Sequence, residues 1–479
     1  MTRSNYFGAN SIQATTDVLT ARGGLATFSQ YLRQVGVPDE LASLFEGIRK
    51  ESTNSASTRD IFGSILCWLM NGDSRHLSSF DDLIKENGMT TIFDVDKIPS
   101  SHAVKRFLKC FHQFQEKKFR DLLASLFIRR LKEESPKLVI LGVDSMVLDN
   151  DDANFRHGVG PTYKGKNGYH PLQMTWGNMI IDGIFRSGSR ASHELKQTKA
   201  MIGRMVRLIR EALGEEVAII IRLDAGYFDQ KLIKFMDEDL NIGFVVGGKL
   251  YKDFKESMNQ LSEDDQNWGT YNVGRRSWKF TELGFKCKSW SKYYRGVLTQ
   301  ADSRRDGTMY LDFARPTSLF LTNIGMRSDL FSPEYVEAVE TFESVEGLVT
   351  LYQGRGSEEL CHRGLKDFGF EQLPMKGYVP NMVMYQLMLV GFACFELFKR
   401  EAIIGPNTEA NEEKESKEVD GIKVTSYAST VRRRFIDIAA KIVKTGGQLF
   451  LKLRHRTIDR LNFEHVWVRC FEAPPLILL

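Results

Sequence analysis

Asp144, Asp224 and Glu359 are three acids far apart in the chain, each set in a stretch that could serve a charged site. Asp144 closes the apolar run Leu138–Val143, Asp224 closes Val217–Leu223, and Glu359 lies inside a segment from Tyr352 to Lys366. In that segment Tyr352, Arg355, Glu359 and Lys366 are spaced by three, four and seven residues. At about 100° per residue those steps keep all four on one face of a helix. One carboxylate among two cations and a phenol makes poor core. It suits a surface that holds a metal ion beside a polyphosphate backbone.

Phosphodiester cleavage needs a water or hydroxyl activated in line with the leaving oxygen, and charge relief at phosphorus. Two divalent ions about 3.5–4 Å apart do both. Mg2+ prefers hard oxygen ligands and keeps several waters, so a few carboxylates suffice, and an Asp-Asp-Glu set needs no histidine or cysteine. Arg355 can fork onto a phosphate, Lys366 can act as a point charge, and Tyr352 offers a hydroxyl or a ring. Taken singly, each acid has an ordinary alternative. Asp144 could cap a turn, Asp224-Ala225-Gly226 could be turn chemistry, and Glu359 could be a surface helix residue with Glu358 as its twin. Gly354 and Gly356 weaken helix here, which leaves the direction of Tyr352 open.

The elements that must position these acids can be read from periodicity. Residues 24–133 carry helical spacing (Ile61-Phe62-Ile65-Leu66-Leu69, Val104-Phe107-Leu108-Phe111), with Pro99-Ser100-Ser101 as a helix start and Lys105, Arg106 and Lys109 on the exposed side. That basic helix could enter a DNA groove or simply be a solvated face. From Lys137 the pattern becomes a buried strand, a glycine-rich basic loop, a hairpin of two strands parted by Gly177-Asn178, an amphipathic helix over 192–213, the strand Val217–Leu223, a helix around 229–240 and the strand Ile242–Val246. This is the order of an RNase H-like α/β core, in which Asp144 and Asp224 would be neighbours. Residues 250–343 read as a β-rich insertion, and helix resumes over 344–404 with Glu359. The acidic, apolar-poor stretch 405–420 reads as a linker. Beyond it, Val431–Arg460 holds nine Lys or Arg, among them Arg432, Arg433 and Arg434, against two acids. With its interleaved apolar residues that segment reads as a basic helix or helix pair, either a phosphate-binding surface or a solvated face. The expected division is therefore a helical N-terminal domain (1–133), the core (134–249 and 344–404), the insertion (250–343), the linker and a basic helical C-terminal segment (421–479).

One near-motif is a decoy. Gly160–Asn167 approaches the phosphate-binding GxxxxGK[ST] loop but ends in Asn, and Tyr169-His170-Pro171-Leu172 continues as strand where that motif must open a helix. Lys164 and Lys166 of the loop fit DNA-backbone contacts better. Composition narrows the class little. In 479 residues, 42% apolar and 26% charged content is that of a globular protein, and a net charge of +4 says almost nothing about partners. Six scattered cysteines without a CxxC pair argue against a zinc site or a disulfide framework. The N-terminus lacks an apolar signal-like run, and Val383–Phe395 is too short to span a bilayer, so an intracellular protein off the membrane is expected.

Tyr352-x2-Arg355-x3-Glu359-x6-Lys366 resembles the Tyr-Arg-Glu-Lys signature of the insertion-sequence-4 superfamily of DDE transposases. Asp224-x-Gly226-Tyr227-Phe228 is similar to that superfamily's second-aspartate region. The basic loop running into Gly168–Leu172 looks most like the insertion-sequence-1380 branch. The resemblance implies a bacterial, nucleoid-associated transposase that cuts at terminal inverted repeats and joins the ends to target DNA. It implies Asp144, Asp224 and Glu359 as ligands of two Mg2+ or Mn2+ ions, and a homodimer on paired ends of double-stranded DNA. It also makes Trp176, Trp268, Trp278 and Trp290 candidates for stacking on a displaced base, beside the plainer role of core packing. Two other readings stand beside it: an RNase H-like nuclease that does not join strands, and a DNA-binding protein derived from a transposase that no longer cuts.

Overall fold

A computed structural model describes residues 14–189, 194–249, 268–273, 276–287, 289–301, 308, 317–405 and 419–479. Most of the acidic stretch (406–418) lies outside these residues, as do 250–267, 302–307 and 309–316 of the expected insertion. The chain forms two compact units, and they cut across the boundaries at 133 and 421 expected from sequence. One unit gathers Met1–Phe45, Lys50–Val104 and Phe398–Pro474; the other gathers Glu46–Arg49, Lys105–Leu397 and Pro475–Leu479.

The second unit is built on a nine-stranded mixed sheet. Its strands are β1 (Leu138–Ser145), β2 (Leu172–Trp176), β3 (Met179–Ile184), β4 (Ala218–Leu223), β5 (Gly243–Gly247), β6 (Gly269–Val273), β7 (Arg276–Phe285), β8 (Tyr294–Ala301) and β9 (Thr317–Thr322). They lie in the order β6-β7-β8-β9-β5-β4-β1-β2-β3. β1, β4 and β5 run parallel, which explains their near-continuous apolar sequences, because a parallel strand is covered on both faces. The β2–β3 hairpin turns at Gly177, whose φ of 56° is the left-handed conformation such a turn requires. The strands of the expected insertion do not form a separate sheet. β9 pairs antiparallel with β5, so β6–β9 extend the central sheet.

Five helices brace this sheet or carry the site: α1 (Glu116–Glu134), α2 (Leu195–Leu213), α3 (Val345–Gln353), α4 (Gly356–Phe368) and α5 (Tyr378–Phe398). The apolar run Val383–Phe395 is the middle of α5, and its residues are almost fully buried, as in a core helix. α1 and α2 are tied to the sheet by charge as well as packing. Arg120 on α1 forks onto the fully buried Asp182 of β3 at 2.7 and 2.8 Å, and Arg204 on α2 reaches the same carboxylate at 3.3 Å.

In the first unit, aromatic side chains join segments distant in sequence. Phe398 packs on Phe28 at 5.4 Å between ring centroids and on Phe435 at 6.3 Å, and Phe435 stacks on Phe463 at 5.6 Å. The basic C-terminal segment is helical in part: Arg432, Arg433 and Arg434 lie in helix running from Ala428 to Ile436, but the residues that follow do not continue it. Ala440–Thr445 and Gln448–Lys452 form an antiparallel hairpin, with Val18–Thr20 as third strand, and helix resumes at His455–Leu461 and Phe463–Glu472. The cause is local. Gly446 and Gly447, with φ of 58° and 77°, form a turn that helix does not accommodate, and Ile442 and Val443 favour strand.

Candidate active site

β1 and β4 place the two aspartates. Val143 lies opposite Leu223 in the parallel register, so Asp144 and Asp224 are the next residues on adjacent strands. The Asp144 carboxylate accepts from its neighbour's Ser145 N–H at 2.7 Å. Asp224 ends its strand and caps the turn Ala225–Tyr227, accepting from Gly226 N–H at 2.8 Å. The turn chemistry and the placement at the strand tip therefore coexist. Burial, and then the charge of Asp224, push the Asp144 carboxyl up to about 6; Glu359 adds in the same direction.

Glu359 is exposed in the first turn of α4. The single helical face expected from Tyr352 to Lys366 is broken. α3 ends at Gln353, Gly354 and Arg355 form the joint, and α4 begins at Gly356. The two weak helix formers at 354 and 356 are the cause. Tyr352 is consequently not beside Glu359 on one helix: its ring stacks on Phe320 of β9 at 5.1 Å. Arg355 still reaches the acids, with its guanidinium 3.7 Å from the Asp144 carboxylate. Lys366 sits in the last turn of α4 and is paired with Glu371.

The loop after β1 behaves as a hairpin, not a phosphate-binding turn. Gly160–Pro161 pairs with Asn167–Tyr169, and the chain continues into the strand β2. Lys166 is engaged by Asp149 and Asp151 at 3.6 and 3.4 Å. Lys164 lies 5.7 Å from the ring of exposed Tyr163. The charges of Asp144, Asp224 and Glu359 all reach Tyr163, which places this loop at the rim of the acidic site. The other expected DNA contacts divide. The Arg432 guanidinium donates to the carbonyls of Leu69 and Met70, each at 2.8 Å, and Arg434 donates to the Asp420 carbonyl at 2.6 Å. Arg433 is exposed. Of the tryptophans, Trp176 packs against Phe127 and Arg130, Trp290 is buried beside Phe228 and Tyr294, and Trp278 stacks on Tyr271.

Two residues that sequence reasoning passed over stand directly behind the acids. Glu358, the supposed surface twin of Glu359, is 1% exposed and lies 3.3 Å from the Arg222 guanidinium of β4. Burial pushes its carboxyl up to about 8 despite that cation. The signal was present: Arg222 is a lone charge inside the apolar run Ala218–Leu223, where a cation demands a partner.

Among the described residues, no group of three or more His, Cys, Asp or Glu is gathered closely enough to hold a metal ion. The donor chemistry nonetheless fits a hard divalent cation. Two oxygen-bearing side chains stand on adjacent strands, a third acid shares their field, and burial, then the charge of Asp224, hold Asp144 well above the ordinary carboxylate range.

A mixed α/β unit carrying paired carboxylates at neighbouring strand tips is a frame suited to an enzyme acting on phosphate esters. The chain belongs to the family described as Transposase DDE domain group 1, which matches residues 9–474. Among solved structures it is similar to the piggyBac transposase synaptic complex with hairpin DNA, determined by cryo-electron microscopy, at 13% identity and a TM-score of 0.35, covering 88% of this chain and 82% of that one. No curated protein matches the sequence.

Proposed function

We propose that the protein cleaves DNA at the terminal inverted repeats of an insertion sequence and transfers the ends to target DNA. Asp144, Asp224 and Glu359 are the residues assigned to hold Mg2+ or Mn2+, most economically two ions, on an RNase H-like core. The observation that carries this reading is the Val143–Leu223 register, which sets Asp144 and Asp224 side by side with Glu359 in the first turn of a helix whose charge reaches them. Bound there, the ions would supply an activated nucleophile and relief of charge at phosphorus. The chain's own residues orient them. Ser145 and Gly226 amides fix one oxygen of each aspartate, and Arg355 stands beside Asp144, where it can pass from carboxylate to phosphate as DNA enters.

Tyr352, Lys164 and Arg433 are the proposed DNA contacts at the edge of this site and beyond it. Lys166, Lys366, Arg432 and Arg434 already bond within the protein, so their parts in DNA binding are secondary in this reading. The signature at Tyr352, Arg355, Glu359 and Lys366 supports membership of the insertion-sequence-4 superfamily. The basic loop supports its insertion-sequence-1380 branch, with a homodimer on paired ends in the bacterial nucleoid.

The test is a cleavage assay on DNA carrying the gene with its native flanks, using wild-type protein and Asp224→Asn, with Mg2+ or with EDTA. Mg2+-dependent breaks at matched repeats, joined to target DNA and absent in the variant, are expected. Breaks without joined products would instead identify a nuclease. Binding without breaks in any metal would leave a non-catalytic DNA-binding protein.

A further inference from the structure

Arg222 and Glu358 form a charged pair beneath the acidic site, and the backbone is shaped to admit it. A side chain at Gly142 of β1 would overlap the Glu358 carboxylate, and one at Gly354 would overlap the Arg222 guanidinium. Arg222 also donates to the Leu351 carbonyl of α3 at 3.4 Å. Among the described residues, neither carboxylate oxygen of Glu358 has a hydrogen-bond partner, so the 3.3 Å ion pair is its main compensation. An arrangement this costly in burial adds little stability, because a well-packed apolar pair of similar volume would serve as well.

Its position gives it a purpose. Gly142 lies two residues before Asp144, Arg222 two residues before Asp224, and Glu358 one residue before Glu359. The pair thus links the three segments that carry the three acids. We propose that the Arg222–Glu358 pair is a positioning device that fixes the register of α4 against β1 and β4, and so holds Glu359 at the site formed by Asp144 and Asp224. Glu358 itself does not bind the cation. The inference rests on the metal-binding reading of those three acids.

The test uses the full chain, with Mn2+ binding followed by electron paramagnetic resonance and DNA cleavage measured in parallel. Glu358→Gln removes the charge and keeps the volume. It is expected to lower the melting temperature, as breaking a buried pair from one side does, yet to stay folded at the assay temperature with wild-type DNA affinity, while Mn2+ affinity and the cleavage rate at saturating DNA each fall about 10- to 100-fold, the usual range for residues that orient metal ligands. Arg222→Gln should give the same loss, and the double variant no more than either single one. Gly142→Ala should lower Mn2+ affinity in the wild-type background and have no further effect beside Glu358→Ala, where the obstructed carboxylate is gone.

Wild-type Mn2+ affinity in Glu358→Gln, or additive losses in the double variants, would overturn the proposal. So would complete loss of Mn2+ in Glu358→Gln with retention in Glu359→Gln, which would make Glu358 the ligand. Binding that depends on Asp224 but yields no cleavage in any protein would sink the transposase reading and leave the positioning role standing. Failure of the wild-type protein to bind Mn2+ would refute both.

Discussion

Asp144 and Asp224 each follow one member of the Val143–Leu223 pair, so two like charges stand side by side on adjacent parallel strands. Burial and mutual repulsion both oppose the ionised form of Asp144, and Arg355 at 3.7 Å offsets them only in part. Asp144→Asn should therefore abolish cleavage without destabilising the fold. Removing a half-paired buried charge is expected to raise stability by about 1–3 kcal/mol in metal-free buffer. Denaturant unfolding of the two proteins in EDTA checks this. A variant less stable than wild type would mean that the carboxylate is better compensated than the geometry implies.

His362 on α4 is a second charge-sensitive position. Burial, followed by the cations Lys164, Lys366 and Arg355, pushes its imidazole down to about 4 from an ordinary 6.5. The group is neutral when folded, and the unfolded chain takes up the proton first. Its contribution is thus intact above pH 6.5 and is lost as pH falls towards 4. A shift of this size corresponds to at most about 3 kcal/mol. Comparing wild type with His362→Gln from pH 7.5 to 4, the wild type should lose more stability than the variant across that window. Equal slopes would show that His362 protonates freely in the folded protein.

The parts of this site that were legible in the sequence are those governed by local pattern. Leu138–Val143 and Val217–Leu223 stood out as strands because a strand covered on both faces leaves a continuous apolar run. The weak helix formers Gly354 and Gly356 announced a break that the helical spacing of the four signature residues concealed. What could not be read depended on distant partners. Arg432 and Arg433 look alike in sequence, yet one is consumed by carbonyls of Leu69 and Met70 and the other is exposed. The same holds for Glu358 and Glu359, whose roles diverge because only one faces Arg222. Over Ala440–Lys452 alternating apolar and basic residues satisfied helix and strand alike, and the glycine pair decided the outcome.

Asp182 tests how the sheet holds its helices. Its buried carboxylate accepts from Arg120 and Arg204 together, so Asp182→Asn leaves Arg120 without its forked counter-charge, while Arg204 keeps Asp121 at 2.7 Å. Breaking a buried pair from one side costs about 3–5 kcal/mol. Thermal unfolding of Asp182→Asn should show a loss of that order, and Arg120→Met combined with Asp182→Leu should recover much of it. If the single variant unfolds within about 0.5 kcal/mol of wild type, as an ordinary surface substitution would, the network contributes nothing to docking α1 and α2.

Arg432 and Arg433 allow structure and DNA affinity to be separated within one short segment. Arg432 donates to two main-chain carbonyls of the helix Thr58–Asn71 and fills the space beside Gly72, where a side chain would collide with its guanidinium. Truncating it orphans those acceptors, and Arg432→Ala should cost about 2–4 kcal/mol of stability, since hydrogen bonds from a charged donor contribute about 1.5–3 kcal/mol. Arg433 is exposed and is assigned no such duty. Arg433→Ala should leave the melting temperature unchanged and weaken binding to end-containing DNA, reducing the slope of log affinity against log salt by about one. Fluorescence anisotropy across a salt series, run beside thermal melts of both variants, separates the two effects. An unchanged salt slope in Arg433→Ala would remove this residue from the DNA interface, and an unchanged melt in Arg432→Ala would show that water replaces its guanidinium at no cost.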